Sequence, residues 1–143
     1  MPIKTIEFTD LEKELSATRK RFQEALAPEL GKAYIIAITR DGCPACERQK
    51  PKLEQLAKTA AATHKDAVIF TRIHVKYRKD REEESARSKN ILAHYFYPTN
   101  LILVRTKDRG AVELYRSAAP TMSELKRQIG IAVKLAEILR NRD

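Results

Sequence analysis

The chain of 143 residues has no tryptophan, four glycines, six prolines and two cysteines. So little glycine and proline excludes a collagen-like repeat and any low-complexity tract. Two cysteines cannot staple a disulfide scaffold. No apolar stretch approaches the ~20 residues that a bilayer crossing needs, so no membrane partner is expected. The opening residues Met1 to Glu7 show neither a long apolar region nor a small-residue cleavage site, so the expected compartment is the cytoplasm. Acidic residues are also in deficit: 19 Asp and Glu against 28 Lys and Arg leave a net charge of +9. With 43% hydrophobic and 33% charged residues, the composition is globular and neither disordered nor coiled-coil. Without repeats or linkers, this length reads as a single domain over 1–143.

Hydropathy patterning supplies the elements. Residues 2–8 suit a short edge strand. Thr9-Asp10-Leu11-Glu12 reads as a capping box, with Leu11, Leu15, Phe22 and Leu26 at helical spacing behind it, so one helix is expected over 10–27. Tyr34 to Thr39 is a near-continuous apolar run, the pattern of a strand buried on both faces. Arg40-Asp41-Gly42 turns into a helix opened by Cys43-Pro44, reaching about residue 63 with Pro51 inside it. A strand follows over about 67–77, then a helix from Asp80 to about Tyr95 with an acidic first turn that suits the helix dipole. Strands at 100–104 and 111–115 flank a turn at Lys107-Asp108-Arg109-Gly110. A second capping box, Thr121 to Glu124, opens a last helix that carries Leu125, Ile129, Ala132, Ala136 and Leu139 on one face. The order, (β)αβαβαββα, implies an α/β fold: a central mixed β-sheet flanked by helices, with an extra N-terminal helix.

The cysteines form one C-x-x-C, Cys43 and Cys46, at the junction of a buried strand and a helix. A disulfide there closes almost no loop, so its value is chemical rather than entropic. The free N–H groups and positive end of a helix N-terminus stabilise a thiolate. Cys43, the outer cysteine, is therefore the expected nucleophile, and Cys46, one turn further in and more shielded, the resolving thiol. Arg40 favours the Cys43 thiolate and Glu47 opposes it. A metal site is not expected: zinc wants two further ligands, and His64, His74 and His94 show no ligand-pair spacing. An inert pair is the bland alternative.

The ordered set of motifs resembles the thioredoxin superfamily from Ala33 to Leu139. A buried strand leads into Cys43-Pro44-Ala45-Cys46; Pro51 matches the family's helix-kinking proline; Tyr97-Pro98-Thr99 before an apolar strand matches its cis-proline loop; Gly110 matches the glycine of its final hairpin. The resemblance implies a thioredoxin fold and a thiol–disulfide oxidoreductase whose only redox group is the Cys43–Cys46 pair, with no separate cofactor. It implies a cis Pro98 facing the cysteines and a Tyr97 backbone that pairs with an extended substrate, beside Gly42 and Pro44. Expected partners are protein or small-molecule disulfides and dithiols, and a reductase as electron donor. The departures are as specific. Ala37 stands where family reductases carry a buried Asp, Gly42 replaces the Trp before the motif, Ala118 replaces a glycine, and Tyr95 and Tyr97 crowd the proline loop. Without that Asp, and with Asp41 and Glu47 on the turn and the exposed helix start, Cys46 is expected to deprotonate poorly near neutral pH. No glutathione-binding set can be assigned.

The basic surplus is densest at Arg72, His74, Lys76 and Arg78, which alternate with Ile73, Val75 and Tyr77 and share one face at strand period. A strand end projecting into solvent accounts for them. No aromatic RNA-binding signature, helix-turn-helix or phosphate loop accompanies the charge, so nucleic acid is not an expected partner. The second functional reading is a redox-silent binding module that uses the cis-proline surface or this basic face.

Overall fold

A computed structural model describes residues 3–141. Strand β1 (Ile3–Glu7) runs directly into α1 (Phe8–Thr18), which is followed by the short α2 (Phe22–Leu26). Then come β2 (Ala33–Arg40), α3 (Pro44–His64), a single 3-10 turn, β3 (Val68–Val75), α4 (Glu83–Ile91), β4 (Thr99–Arg105), β5 (Ala111–Ser117) and α5 (Met122–Asn141). Residue 2 of the expected edge strand, and residues 1, 142 and 143 of the expected domain span, lie outside the described residues.

The five strands lie in the order β1-β3-β2-β4-β5. β1 and β2 run parallel to β3, while β4 is antiparallel to β2 and β5 to β4. The sheet is therefore mixed, as expected. Its apolar side chains alternate between two cores. Ile35, Phe70, Ile102 and Val104 meet Leu53, Leu56 and Ala57 of α3 and Leu125, Ile129 and Ala136 of α5 on one face. Tyr34, Ile36, Ile38, Ile73, Leu101 and Leu103 meet Phe8, Leu11, Phe22 and Leu26 of the N-terminal helices on the other, together with Leu92 at the end of α4.

The N-terminal region departs from expectation. One helix over 10–27 is two, because Arg19 takes a left-handed conformation (φ 58°) and its N–H closes on the Leu15 carbonyl. The helix also begins at Phe8 rather than behind Thr9, with Glu7 at the N-cap and no side-chain cap. Burying Phe8 completely outweighs a capping hydrogen bond there. The second capping box is half realised. The Thr121 hydroxyl accepts from the Glu124 N–H at 3.0 Å, while the Glu124 carboxylate turns to Arg127 and Gln128.

Arg105 ties α2 to the sheet. Its guanidinium donates to the Ala27 and Glu24 carbonyls at 2.8 and 2.9 Å and pairs with the Glu24 carboxylate at 2.8 Å. Gly110 turns the β4–β5 hairpin with φ 74°, a conformation that favours glycine, and an added Cβ there would displace the Glu24 carboxylate.

Candidate active site

β2 delivers Arg40, Asp41 and Gly42 to the N-terminus of α3. Gly42 turns the chain with φ 63°, a left-handed conformation that glycine adopts without a Cβ penalty. Cys43 is the N-cap and Pro44 the first helical residue, where a missing N–H leaves nothing unpaired. Cys43 and Cys46 are joined in a disulfide with their Cα atoms 5.2 Å apart. The Cys46 N–H donates to Cys43 Sγ at 3.1 Å. A helix-terminal N–H thus points at the sulfur expected to carry charge.

One expectation is corrected. Cys43 is not the outer cysteine: it is 3% exposed and Cys46 7%. The cover over Cys43 is the loop before β4. The Tyr97 carbonyl oxygen lies 3.6 Å from Cys43 Sγ, and the Tyr97–Pro98 peptide bond is cis. Pro98 is buried and Tyr97 half-buried, whereas Gly42 and Pro44 are exposed. The structure therefore brings Gly42, Cys43, Pro44 and Cys46 together on one turn and sets Tyr97 against Cys43.

The loop is rigidly backed. His94, 3% exposed, receives the Ser88 hydroxyl at Nε2 (2.8 Å), and its Nδ1–H donates to the Phe96 carbonyl at 3.3 Å. Its ring meets Tyr97 edge-on at 4.9 Å. Burial pushes His94 down to about 4. The Phe96 carbonyl opposes this, and the Arg116 and Lys89 charges add to it, so the imidazole is neutral. Thr99 Oγ1 donates to the same Phe96 carbonyl at 2.6 Å, and Arg116 donates to the Ala93 carbonyl at 2.7 Å. The Tyr97 hydroxyl bonds Ser85 at 3.0 Å. Tyr95 does not crowd the loop as expected: it is 82% exposed, and Phe96 beside it 65%.

On the other flank, the Arg40 guanidinium stacks 4.1 Å from the Tyr77 ring centre and donates to the Asp41 and Gly42 carbonyls at 2.8 and 3.3 Å. His74 is held between two acids, with Nδ1 2.8 Å from Glu7 and Nε2 2.7 Å from Asp41. The Asp41 carboxylate also accepts the Tyr77 N–H at 3.2 Å. Burial alone would lower the His74 pKa, but the hydrogen bonds and charges of Asp41 and Glu7 overcome it and hold the ring above its ordinary value. The His74 hydrogen bond in turn holds Asp41 below the usual carboxylate range, against its partial burial.

The expected four-residue basic face is not formed. β3 ends at Val75, so only Arg72 and His74 share the strand face. Arg78 pairs with Asp80 at 3.1 Å, and the Lys76 N–H is taken by Glu84. Sequence reasoning missed the acids around His74. β1 sets Thr5 beside Arg72 and Glu7 beside His74, a register that no single strand pattern reveals. It missed Asn100 as well. That residue is fully buried, is the register partner of Ala37 and donates to Gln49 at 2.9 Å. Among the described residues, no group of three or more His, Cys, Asp or Glu side chains is arranged to hold a metal ion.

No protein-family model matches the chain, and no curated protein matches it by sequence. Solved structures do resemble it. Trichomonas vaginalis thioredoxin superposes with a TM-score of 0.60 at 13% identity, over 91% of this chain and 96% of that one. Fasciola hepatica thioredoxin gives 0.55 at 18% identity, over 90% and 98%. A thioredoxin f2, solved in complex with ferredoxin:thioredoxin reductase, gives 0.55 at 14% identity, over 91% and 94%. The chain has the thioredoxin fold. A disulfide-bonded cysteine pair sits at the start of the helix that follows its second strand.

Proposed function

We propose that this chain is a cytoplasmic thiol–disulfide oxidoreductase. The observation that carries the reading is the Cys46 N–H directed at Cys43 Sγ at the first turn of a 21-residue helix, with the Tyr97 carbonyl on the other side of that sulfur. In the reduced protein the same N–H and the helix terminus stabilise a Cys43 thiolate. That thiolate attacks a substrate disulfide. A Cys43–substrate bond forms, the substrate bond breaks, and the departing thiolate takes a proton from solvent. Cys46 then loses its proton and attacks Cys43 Sγ, which releases the second substrate thiol and restores the protein disulfide. Tyr97 and Pro98 line the substrate side with Gly42 and Pro44, and the Tyr97 backbone pairs with an extended segment. Substrates are protein or small-molecule disulfides and dithiols. A reductase of the kind seen with thioredoxin f2 is the proposed electron donor.

One observation favours a second reading, a redox-silent binding module: both sulfurs are buried. Equilibration in glutathione or dithiothreitol buffers, with the oxidised fraction read by mass after alkylation, separates the two. A single two-electron transition supports the oxidoreductase. A pair that stays oxidised, or stays reduced, across all buffers removes it.

A further inference from the structure

Ala37 leaves Cys46 without the carboxylate that would take its proton, yet the space beside Ala37 is not sealed. A cavity of about 250 Å³ lies between the first turns of α3 and the β1-β3-β2 edge of the sheet. Cys46 is in its wall and Cys43 is not. That volume holds several waters at ~30 Å³ each. The same wall carries Asp41 and Glu47, both exposed, on the turn and the helix start where the sequence placed them.

We propose that this cavity is the exit for the Cys46 proton, and that protonated His74 is a positioning residue that keeps its two carboxylate partners from opposing the Cys46 thiolate. The proposal rests on the oxidoreductase reading. Glu7 and Asp41 contact His74 directly, and further charged groups line the cavity beside it. Glu7 stands on β1, Arg40 ends β2, and Asp41 occupies the following turn; Glu47 and Lys50 project from α3, and Arg72 lies beside it on β3. Arg72 has its Nη2 on the Thr5 hydroxyl at 3.0 Å and is the register partner of Ala37. With His74 protonated, the Glu7–His74–Asp41 cluster carries one net negative charge; with His74 neutral it carries two. A buried thiolate is already disfavoured, so that extra negative charge slows the step in which Cys46 ionises. The proton passes from Cys46 Sγ to cavity water and on to solvent. The thiolate then attacks Cys43 Sγ, and the substrate sulfur leaves with the electron pair of the broken bond. The two acids also favour the charged form of His74, against its partial burial.

The test follows the reduced full-length protein reacting with dithiobis(nitrobenzoate), a small aromatic disulfide. Cys43 attack releases one coloured thiolate in a phase that depends on reagent concentration. Resolution by Cys46 releases the second in a concentration-independent phase. In His74→Gln the second phase should slow about tenfold at about pH 7, its pH midpoint rising by about one unit, with the first phase unchanged. His74→Lys, which keeps the charge, should restore the rate. Arg72→Gln, which leaves the His74 contacts intact, should slow the same phase. An unchanged second phase in both Gln variants overturns the proposal, as does equal slowing of both phases or failure of Lys to rescue. If His74→Gln does not fold, Arg72→Gln and the His74→Lys pH profile decide it alone. A wild-type protein that releases no coloured thiolate at all removes the oxidoreductase reading itself.

Discussion

His94 should make the protein acid-sensitive in a definite pH window. The residue is 3% exposed, accepts from Ser88, donates to the Phe96 carbonyl and packs edge-on against Tyr97. In the unfolded chain a histidine titrates at its ordinary 6.5, whereas here the value is about 4. Between those limits the unfolded state binds a proton that the folded state does not, so stability rises with pH across that interval. The contribution is complete above 6.5, is lost progressively as pH falls towards about 4, and is flat below that. At about 1.4 kcal/mol per pH unit, the interval corresponds to about 3 kcal/mol. Denaturant unfolding of wild type and His94→Gln at a series of pH values from about 4 to about 7.5 measures it. Glutamine keeps a donor and an acceptor but does not titrate. Carboxylates such as Asp41 and Glu24 lose stability in acid in both proteins, so the difference between the two isolates His94. Its stability advantage over the variant should grow by about 3 kcal/mol from the acid to the neutral end. A difference independent of pH, or an NMR titration of His94 near 6.5, would refute the reasoning.

Three further outcomes are expected. Cys46→Ser should accumulate mixed disulfides with partner proteins, visible as thiol-sensitive bands on non-reducing gels, and Cys43→Ser should not; equal trapping by both reverses or abolishes the assigned roles. Leu101→Ala removes a fully buried side chain from the centre of β4 and should cost about 2–5 kcal/mol of unfolding free energy with an unchanged denaturant slope. Gly110→Ala should cost at least about 1–2 kcal/mol for the left-handed backbone, with displacement of Glu24 from Arg105 adding to it, and thermal unfolding reads the sum.

The central strands were legible because burial on both faces leaves no polar alternation: Tyr34 to Thr39 and Asn100 to Val104 read as strands before any pairing is known. Gly110 and Thr121 were legible for the same kind of reason, since a turn and a cap are decided within a few residues. The C-x-x-C and Pro98 were equally plain. What stayed hidden depends on distant partners. Nothing local marks Arg19 as a helix end: it is an ordinary helix former, and the break serves the docking of Phe8 and Phe22 on the sheet. The burial of Cys43 is set by a carbonyl 54 positions away. The acids flanking His74 lie 67 and 33 positions distant. Strand alternation put Lys76 and Arg78 on the face of His74, but the strand stops at Val75, and alternation carries no information about where a strand stops.

The placement of α1 and α2 bears on the order in which the molecule assembles. Phe8, Leu11, Phe22 and Leu26 are synthesised before the surface they cover, which includes Leu101 and Leu103 of β4, and Arg105 closes the end of α2. A ribosome must therefore extend the chain past residue 105 before the first two helices find their seat. Isolated helices of 11 and 5 residues are marginal in water, so they wait as fluctuating, partly apolar segments. The last step of closure is thus the docking of α1 and α2, two segments that stay partly apolar and exposed until their seat exists.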